Sequence, residues 1–318
     1  MAIFFKADYG KLCESREGGI STVFNHQSAL GKISHLFIKR KIPGTDYYDL
    51  ITPFRYGGPL IQSCKRDNPE ALVREFEEDF FEYCRENRIV SEFVRFHPLY
   101  NNGADFKSCY QVRQSRRTVG TNLRDCPDPV QREFSKSARR NVRQALEKGV
   151  VCKVREKPRD LGRFQLIYYE TLRRNNAAPF HYFPTQYFTD CLKLFRKNIV
   201  LIEAFYEGKI IAAGLYFACG KAIHVHLSGT LTEFLPLSPA YLLRWAITQW
   251  GKSRGYNLIH HGGGLRAGKN DSLFQFKERF GSLRFQFQVG QKIWNPAVYE
   301  QLAAAKKERV RRGFPAYR

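Results

Sequence analysis

Residues 256–281, YNLIHHGGGLRAGKNDSLFQFKERFG, constrain the fold more than any other stretch. Leu258 and Ile259 read as a buried strand. Gly262, Gly263 and Gly264 follow, where the backbone can take φ > 0 and approach a ligand closely. A polar loop then leads to a short helix. Asn270 and Asp271 precede it, and Asp271 stands where an N-cap belongs, ahead of Leu273, Phe274, Phe276, Lys277 and Phe280. Phe276 and Phe280 are four apart and share a face, and Gly281 is placed to end the helix. Lys277 directly follows Phe276, so it points off that stripe. Two readings of it stay open. It is a solvated lysine on an amphipathic helix, or a cation beside aromatic packing at a strand end, placed to stabilise a developing oxyanion.

The rest of the chain alternates similarly. Thr22–Asn25, His35–Lys41 and Asp46–Thr52 are β-like runs, and Asn68–Arg88 is a helix with Leu72, Val73, Phe76, Phe80 and Cys84 at helical spacing. Ile89–Phe96 and the basic Tyr110–Thr118 read as strands. Asp128–Lys148 reads as one helix, with Asp128 as cap and Pro129 at its first position. Phe134, Ala138, Val142, Ala145 and Leu146 form its apolar stripe. Arg132, Lys136, Arg139, Arg140 and Arg143 share a different sector, which suits either solvent or a bound anion. Further on come helices Arg159–Asn175 and Pro184–Lys197. Ile199–Tyr206 and Lys209–Cys219 make a hairpin around Glu207-Gly208, and Ala222–Ser228 is another strand. Pro239–Gly255 is a helix with Leu242, Trp245, Ala246 and Trp250 inward. Leu283–Gly290 is a β-run, and Ala297–Arg312 a terminal basic helix. No residue-level repeat or heptad run appears.

Charge narrows the partners. The net charge is +22, and it is unevenly spread. Residues 107–159 hold 15 lysines and arginines against five acids, and residues 305–318 hold six against one. Residues 68–92 are acidic instead. Two basic blocks suggest a polyanionic partner such as tRNA, a nucleotide-linked substrate or anionic headgroups. No apolar run approaches the length of a membrane span, so any membrane contact would be peripheral. Eight cysteines are scattered singly without a CxxC pair. With no signal-peptide core at MAIFFKADYGK, they read as reduced thiols of a cytoplasmic protein.

Four segments in order carry a family resemblance: YYDLITPFRYGGPLI (47–61), FVRFHPL (93–99), SKSARRNVRQALEKGV (135–150) and the Phe-Lys…Phe-Gly helix end at 276–281. Together they resemble the Fem-type (FemAB-like) acyl- and aminoacyltransferases of the GNAT superfamily. The resemblance implies an α+β chain of tandem GNAT-like (acetyltransferase-like) domains, with mixed twisted sheets flanked by helices and a cleft between the halves. It places an N-terminal domain at 1–149, including the basic linking helix 128–148, and a C-terminal domain at 150–318. It also implies transfer of an aminoacyl group from charged tRNA to an amine of a cell-envelope or secondary-metabolite precursor, an anionic or lipid-linked acceptor. No bound cofactor is expected; aminoacyl-tRNA or acyl-CoA is the donor substrate.

On that reading Lys277 is the oxyanion cation, with Phe276 beside it. The family's bridge-forming branch carries Asp-Pro where this chain has His97-Pro98, which leaves His97 as an acceptor-side candidate. Tyr56, with Arg55, borders the acceptor pocket, and Arg95 and Asn101 flank His97. Lys136, Arg139, Arg140 and Arg143 would hold phosphates. His224 and His226 lie on one strand and His260 with His261 on another, so a histidine of these pairs can take a proton. Their spacing does not suggest a metal. Asn270 and Asp271 either cap the helix or meet substrate. The Arg/Gln-x-x-Gly-x-Gly/Ala pyrophosphate loop of acetyl-CoA enzymes is missing. Two rivals stay open: an acyl-CoA-dependent N-acyltransferase acting on a nucleotide- or lipid-linked sugar, and a non-enzymatic RNA-binding module.

Overall fold

The structure, a computed structural model, describes residues 2–65, 68–265, 271–305 and 313–318. Among them run twelve strands. These are β1 (Ile20–Gln27), β2 (Gly31–Lys41), β3 (Tyr48–Ile51), β4 (Gly58–Cys64), β5 (Ile89–Arg95), β6 (Gln111–Asn122), β7 (Val151–Glu156), β8 (Ile199–Tyr206), β9 (Lys209–Cys219), β10 (Ala222–Thr230), β11 (Leu258–Gly263) and β12 (Leu283–Ile293). The α-helices are α1 (Ala7–Glu17), α2 (Pro69–Glu86), α3 (Asn102–Asp105), α4 (Pro129–Glu133), α5 (Lys136–Glu147), α6 (Gly162–Arg174), α7 (Thr185–Phe195), α8 (Pro239–Ser253), α9 (Ser272–Glu278) and α10 (Pro296–Ala304). No helix among the described residues is long and apolar enough to cross a membrane. All eight cysteines are free thiols.

The chain forms two compact units, one of Ile3–Arg116 with Gln286–Arg318, the other built on Arg117–Phe285. This differs from a boundary after residue 149. The linking helix belongs with the residues that follow it, because the apolar side of α5 has its partners there: Val142 and Ala145 share a core with Leu242, Leu243 and Ile247 of α8. The last 33 residues return to the first unit, where β12 pairs antiparallel with β5 from Ser91↔Ile293 to Arg95↔Val289.

In the first unit β2 is the hub. It pairs antiparallel with β1, β3 and β4, and β3 runs parallel to β5. Leu72, Val73, Phe76, Phe80 and Cys84 on one stripe of α2 close the core with Phe37, Val94 and Trp294. In the second unit the order is β6-β11-β10-β9-β8-β7. The pair β10–β11 is parallel, so the chain needs a crossover, and α8 provides it. The β8–β9 hairpin turns at Glu207 and Gly208 with φ of 48° and 76°. Two successive left-handed residues make the tight turn that matches strand twist.

Three local expectations fail. The stretch 128–148 is not one helix. Phe134 is extended (φ −80°, ψ 138°), and Ser135 caps a second helix by accepting from Ala138 N at 3.1 Å. The break lets Phe134 leave the stripe and pack edge-on to Phe280, 5.2 Å between centroids. Leu146, read as apolar stripe, is exposed. Gly281 does not end α9, which stops at Glu278. Its lack of a side chain serves close approach instead, since a Cβ there would collide with the Gly120 carbonyl of β6. The terminal basic helix appears only as α10, because residues 306–312 lie outside the described residues.

Candidate active site

Strand β11 and helix α9 build the first set of candidate residues. β11 enters between β6 and β10, and its register slips between His260 and Gly262, where Gly262 takes φ 75°. The extra residue bends the strand end, a position where bulges re-aim side chains. Asp271, nearly fully buried, caps α9 by accepting from Phe274 N at 2.8 Å. Its carboxyl group lies against Gly264, where any Cβ would collide with it. Asn270 lies outside the described residues.

Lys277 is not a solvated lysine. It is half-buried, and its Nζ donates to Gly263 O at 2.6 Å, so the ammonium is held at the end of β11. Phe276 packs edge-on to Tyr241 at 5.3 Å and to Phe280 at 4.9 Å, fixing the helix that carries the lysine.

His261, fully buried, is the neighbour that spacing singled out least. Thr121 Oγ1 donates to Phe280 O at 2.5 Å, so the bond from Thr121 to His261 must run the other way: His261 Nε2–H donates to Thr121 Oγ1, at 2.7 Å. The imidazole is thereby tied, through Thr121, to the chain just past α9. Burial first, then the charges of Arg244 and Lys277, hold its pKa well below the usual histidine value, so it is neutral at pH 7.

The other histidines are spoken for by the sheet. His224 and His260 stand opposite each other on β10 and β11 with rings 5.5 Å apart, and His260 Nε2 lies 2.9 Å from Thr118 Oγ1. His226 Nε2 lies 2.7 Å from Tyr187 Oη, among Phe183 and Phe217.

The basic helix splits by role. Arg139 bends back and donates through Nη1 to Gln131 O at 2.8 Å and Phe134 O at 2.6 Å, satisfying carbonyls freed by the helix break. Lys136, Arg140 and Arg143 are exposed, and Arg143 pairs loosely with Glu147 at 3.8 Å.

His97 lies in the first unit, closed off from solvent in an aromatic nest. Phe4, Phe5, Tyr56 and Tyr100 stand with centroids 5.0–5.5 Å from its ring. Its Nδ1 accepts from Leu99 N at 3.2 Å. Burial raises the Tyr56 phenol, against the pull of Arg55 and Arg116. Arg95 is structural, donating through Nη2 to Glu17 at 2.9 Å and to the Thr52 carbonyl. Asn101 is an exposed left-handed turn residue (φ 52°).

The working amide is its neighbour. Asn102, fully buried, accepts from His97 N and donates to Gly57 O and Pro59 O, each at 2.8 Å. It staples the Tyr-Gly-Gly-Pro turn to the His-Pro turn. The sequence held one signal for it: two adjacent asparagines in a polar loop, of which only a packed structure tells the inner from the outer.

Residues 132–278 match a family model described as an acetyltransferase (GNAT) domain. No curated protein matches the chain in sequence. In structure the chain is similar to FemX, with TM-score 0.75, 13% identity and 94% of each chain covered. It is also similar to the C-terminal domain of an Agrobacterium fabrum protein described as a lysylphosphatidylglycerol synthetase (TM-score 0.58, 14% identity, 95% of this chain and 91% of that one). A third is L-PGS from Bacillus licheniformis (TM-score 0.57, 14% identity, 91% and 93%). At these identities the likeness is one of fold.

Proposed function

We propose that this acyltransferase of the GNAT superfamily, Fem-type in fold, moves an activated aminoacyl group from tRNA to an amine of a cell-envelope or secondary-metabolite precursor. The observation that carries the reading is Lys277, half-buried and anchored on Gly263 O at a strand end within the matched domain. In the reaction the amine nitrogen attacks the ester carbonyl. The C–N bond forms, the C–O bond to the ribose breaks, and the amine proton passes to the departing ribose oxygen. The ester is already activated, so positioning and charge stabilisation suffice. Lys277 supplies the cation for the developing oxyanion, and Phe276 holds its helix against Tyr241.

Two observations support tRNA over acetyl-CoA. Arg132, Lys136, Arg140 and Arg143 stand exposed on one basic segment, suited to phosphates. The fold likeness to a protein described as a lysylphosphatidylglycerol synthetase supports an aminoacyl donor. On this reading His97 supports the acceptor side through the Tyr56–Tyr100 nest rather than by touching the amine.

The deciding assay supplies aminoacyl-tRNA and acetyl-CoA separately against a panel of amines. Turnover is expected with charged tRNA alone. Turnover with acetyl-CoA and none with any aminoacyl-tRNA overturns the donor assignment.

A further inference from the structure

Arg244 is a buried cation with no counter-ion among the described residues. It sits in the second turn of α8 and is 4% exposed. Among the described residues its guanidinium makes one hydrogen bond, from Nη1 to Tyr216 Oη on β9 at 3.4 Å, and its Nε has no partner. A guanidinium stays charged and presents five N–H donors. Burying that charge with a single long bond to a neutral phenol is costly unless something else completes it.

A second unfinished group lies against the same helix–sheet layer. His261, 1% exposed, uses Nε2 to donate to Thr121, which leaves Nδ1 as an acceptor, and Nδ1 has no partner among the described residues. The two are linked by packing. Tyr241, one turn before Arg244, stands 5.5 Å from the Phe280 ring, and that ring stands 6.1 Å from His261. Arg244 is also the larger of the two charges that act on the imidazole. A buried guanidinium thus lacks an anion while a buried imidazole lacks a proton donor.

One ligand chemistry answers both. Ionised carboxylates, phosphodiesters and sulfate offer oxyanions but no proton. A phosphate monoester near its second ionisation, at about pH 6, offers both. We propose that Arg244 and His261 form a buried subsite for a phosphate monoester of the donor substrate, with P–O⁻ accepting from Arg244 and P–OH donating to His261 Nδ1. The assignment rests on the acyl-transfer reading only in placing the phosphate on a donor; the subsite itself is measured by binding, without turnover, so the two can fail separately.

The test is calorimetric titration of the full chain at about pH 6, where the monoanion is present, with inorganic phosphate and with sulfate at matched ionic strength. Wild type is expected to bind phosphate about tenfold tighter than sulfate, the worth of one good hydrogen bond. Arg244→Gln should weaken phosphate by about tenfold or more. His261→Gln, which can donate to either anion, should close the phosphate–sulfate gap. Equal affinity for the two anions in wild type, no binding of either, or undiminished phosphate binding in Arg244→Gln overturns the subsite. Should Arg244→Gln fail to fold, the wild-type ratio decides alone. Two ligand pairs then compete with phosphate: coenzyme A against dephospho-coenzyme A, and uncharged tRNA with against without its 5′-phosphate. The pair whose competition depends on the monoester identifies the source. If neither does, the phosphate does not belong to the donor, and that part of the proposal falls.

Discussion

His35 and His261 are both closed off from solvent, one in each unit, yet their surroundings are opposite in charge. His35 Nε2 lies 2.5 Å from Glu92 Oε1, and Glu92 Oε2 accepts from Tyr110 Oη at 3.0 Å and Trp294 Nε1 at 3.3 Å. That carboxylate has three donors and belongs to a filled core with Phe76, Phe80 and Trp294. His261 bonds a neutral threonine, and the charges that act on it are Arg244 and Lys277. Both histidines leave Nδ1 without a partner among the described residues, so an orphan ring nitrogen alone does not mark a ligand site. The difference is the charge balance. A buried acid with matched donors is finished within the chain, whereas buried positive charge without an acid is finished only by something from outside.

The contrast can be broken from either side, and the largest effect belongs to the finished one. Glu92→Ala should cost about 3–5 kcal/mol of stability, because His35, Tyr110 and Trp294 lose their common acceptor. Urea denaturation measures it. A loss below about 1 kcal/mol, the worth of one ordinary hydrogen bond, would show that the cluster is not a stabilising unit.

Lys277→Met should do the reverse, reducing turnover about 100–1,000-fold, the range for loss of one oxyanion donor, while leaving the melting temperature nearly unchanged. More than about a third of wild-type turnover would return Lys277 to a packing role.

Acid sharpens the comparison further. The folded-state pKa of His261 lies below its unfolded value of about 6.5, so the unfolded chain binds the proton first. The contribution is therefore whole above about pH 6.5 and is lost as pH falls toward the folded-state pKa, at about 1.4 kcal/mol per pH unit. His261→Gln should remove that slope from the variant's own stability curve, so the stability difference between wild type and variant should change as pH falls below about 6.5. A difference constant from pH 7 to pH 5 would mean that the imidazole is not held neutral.

The smallest effects lie on the basic segment, where the structure separates residues that spacing had grouped. Arg139→Gln should lower stability by about 1 kcal/mol, since it strands the Gln131 and Phe134 carbonyls. Lys136→Gln with Arg140→Gln should leave melting nearly unchanged. It should lower the salt dependence of tRNA binding by about one counterion per lost phosphate contact, or a little less on single strands. A sharp melting loss with an unaltered salt slope would make these two residues structural.

Much of the frame was legible before any folding. The Glu207-Gly208 hairpin, the α2 stripe and the strand–glycine–helix order at 256–281 follow from local periods and turn chemistry. The split of the 128–148 segment was not, because every residue there tolerates a helix. The extended Phe134 is stabilised by Phe280, nearly 150 positions away, and by the Ser135 N–H bond to Arg279 O at 2.8 Å. Asn101 was preferred to Asn102 for the same reason: loop polarity shows that an amide is present, not which one turns inward. Arg244 gave no signal at all, standing on a helix whose inward set was read as Leu242, Trp245, Ala246 and Trp250. In the structure Leu243, Arg244 and Ile247 are fully buried, while Trp245 and Trp250 lie only partly covered.

By itself, then, the sequence determined the local elements, the uneven charge and the position of Lys277 at a strand–helix junction, because these depend on neighbours within a few residues. The tertiary structure alone decided which polar groups lie out of water and with what company. Glu92 with its three donors, Asn102 between two turns, and Arg244 and His261 without an acid are outcomes of which layers stack. Burial is a property of both packed faces at once, and only one of the two is written in any local stretch of chain.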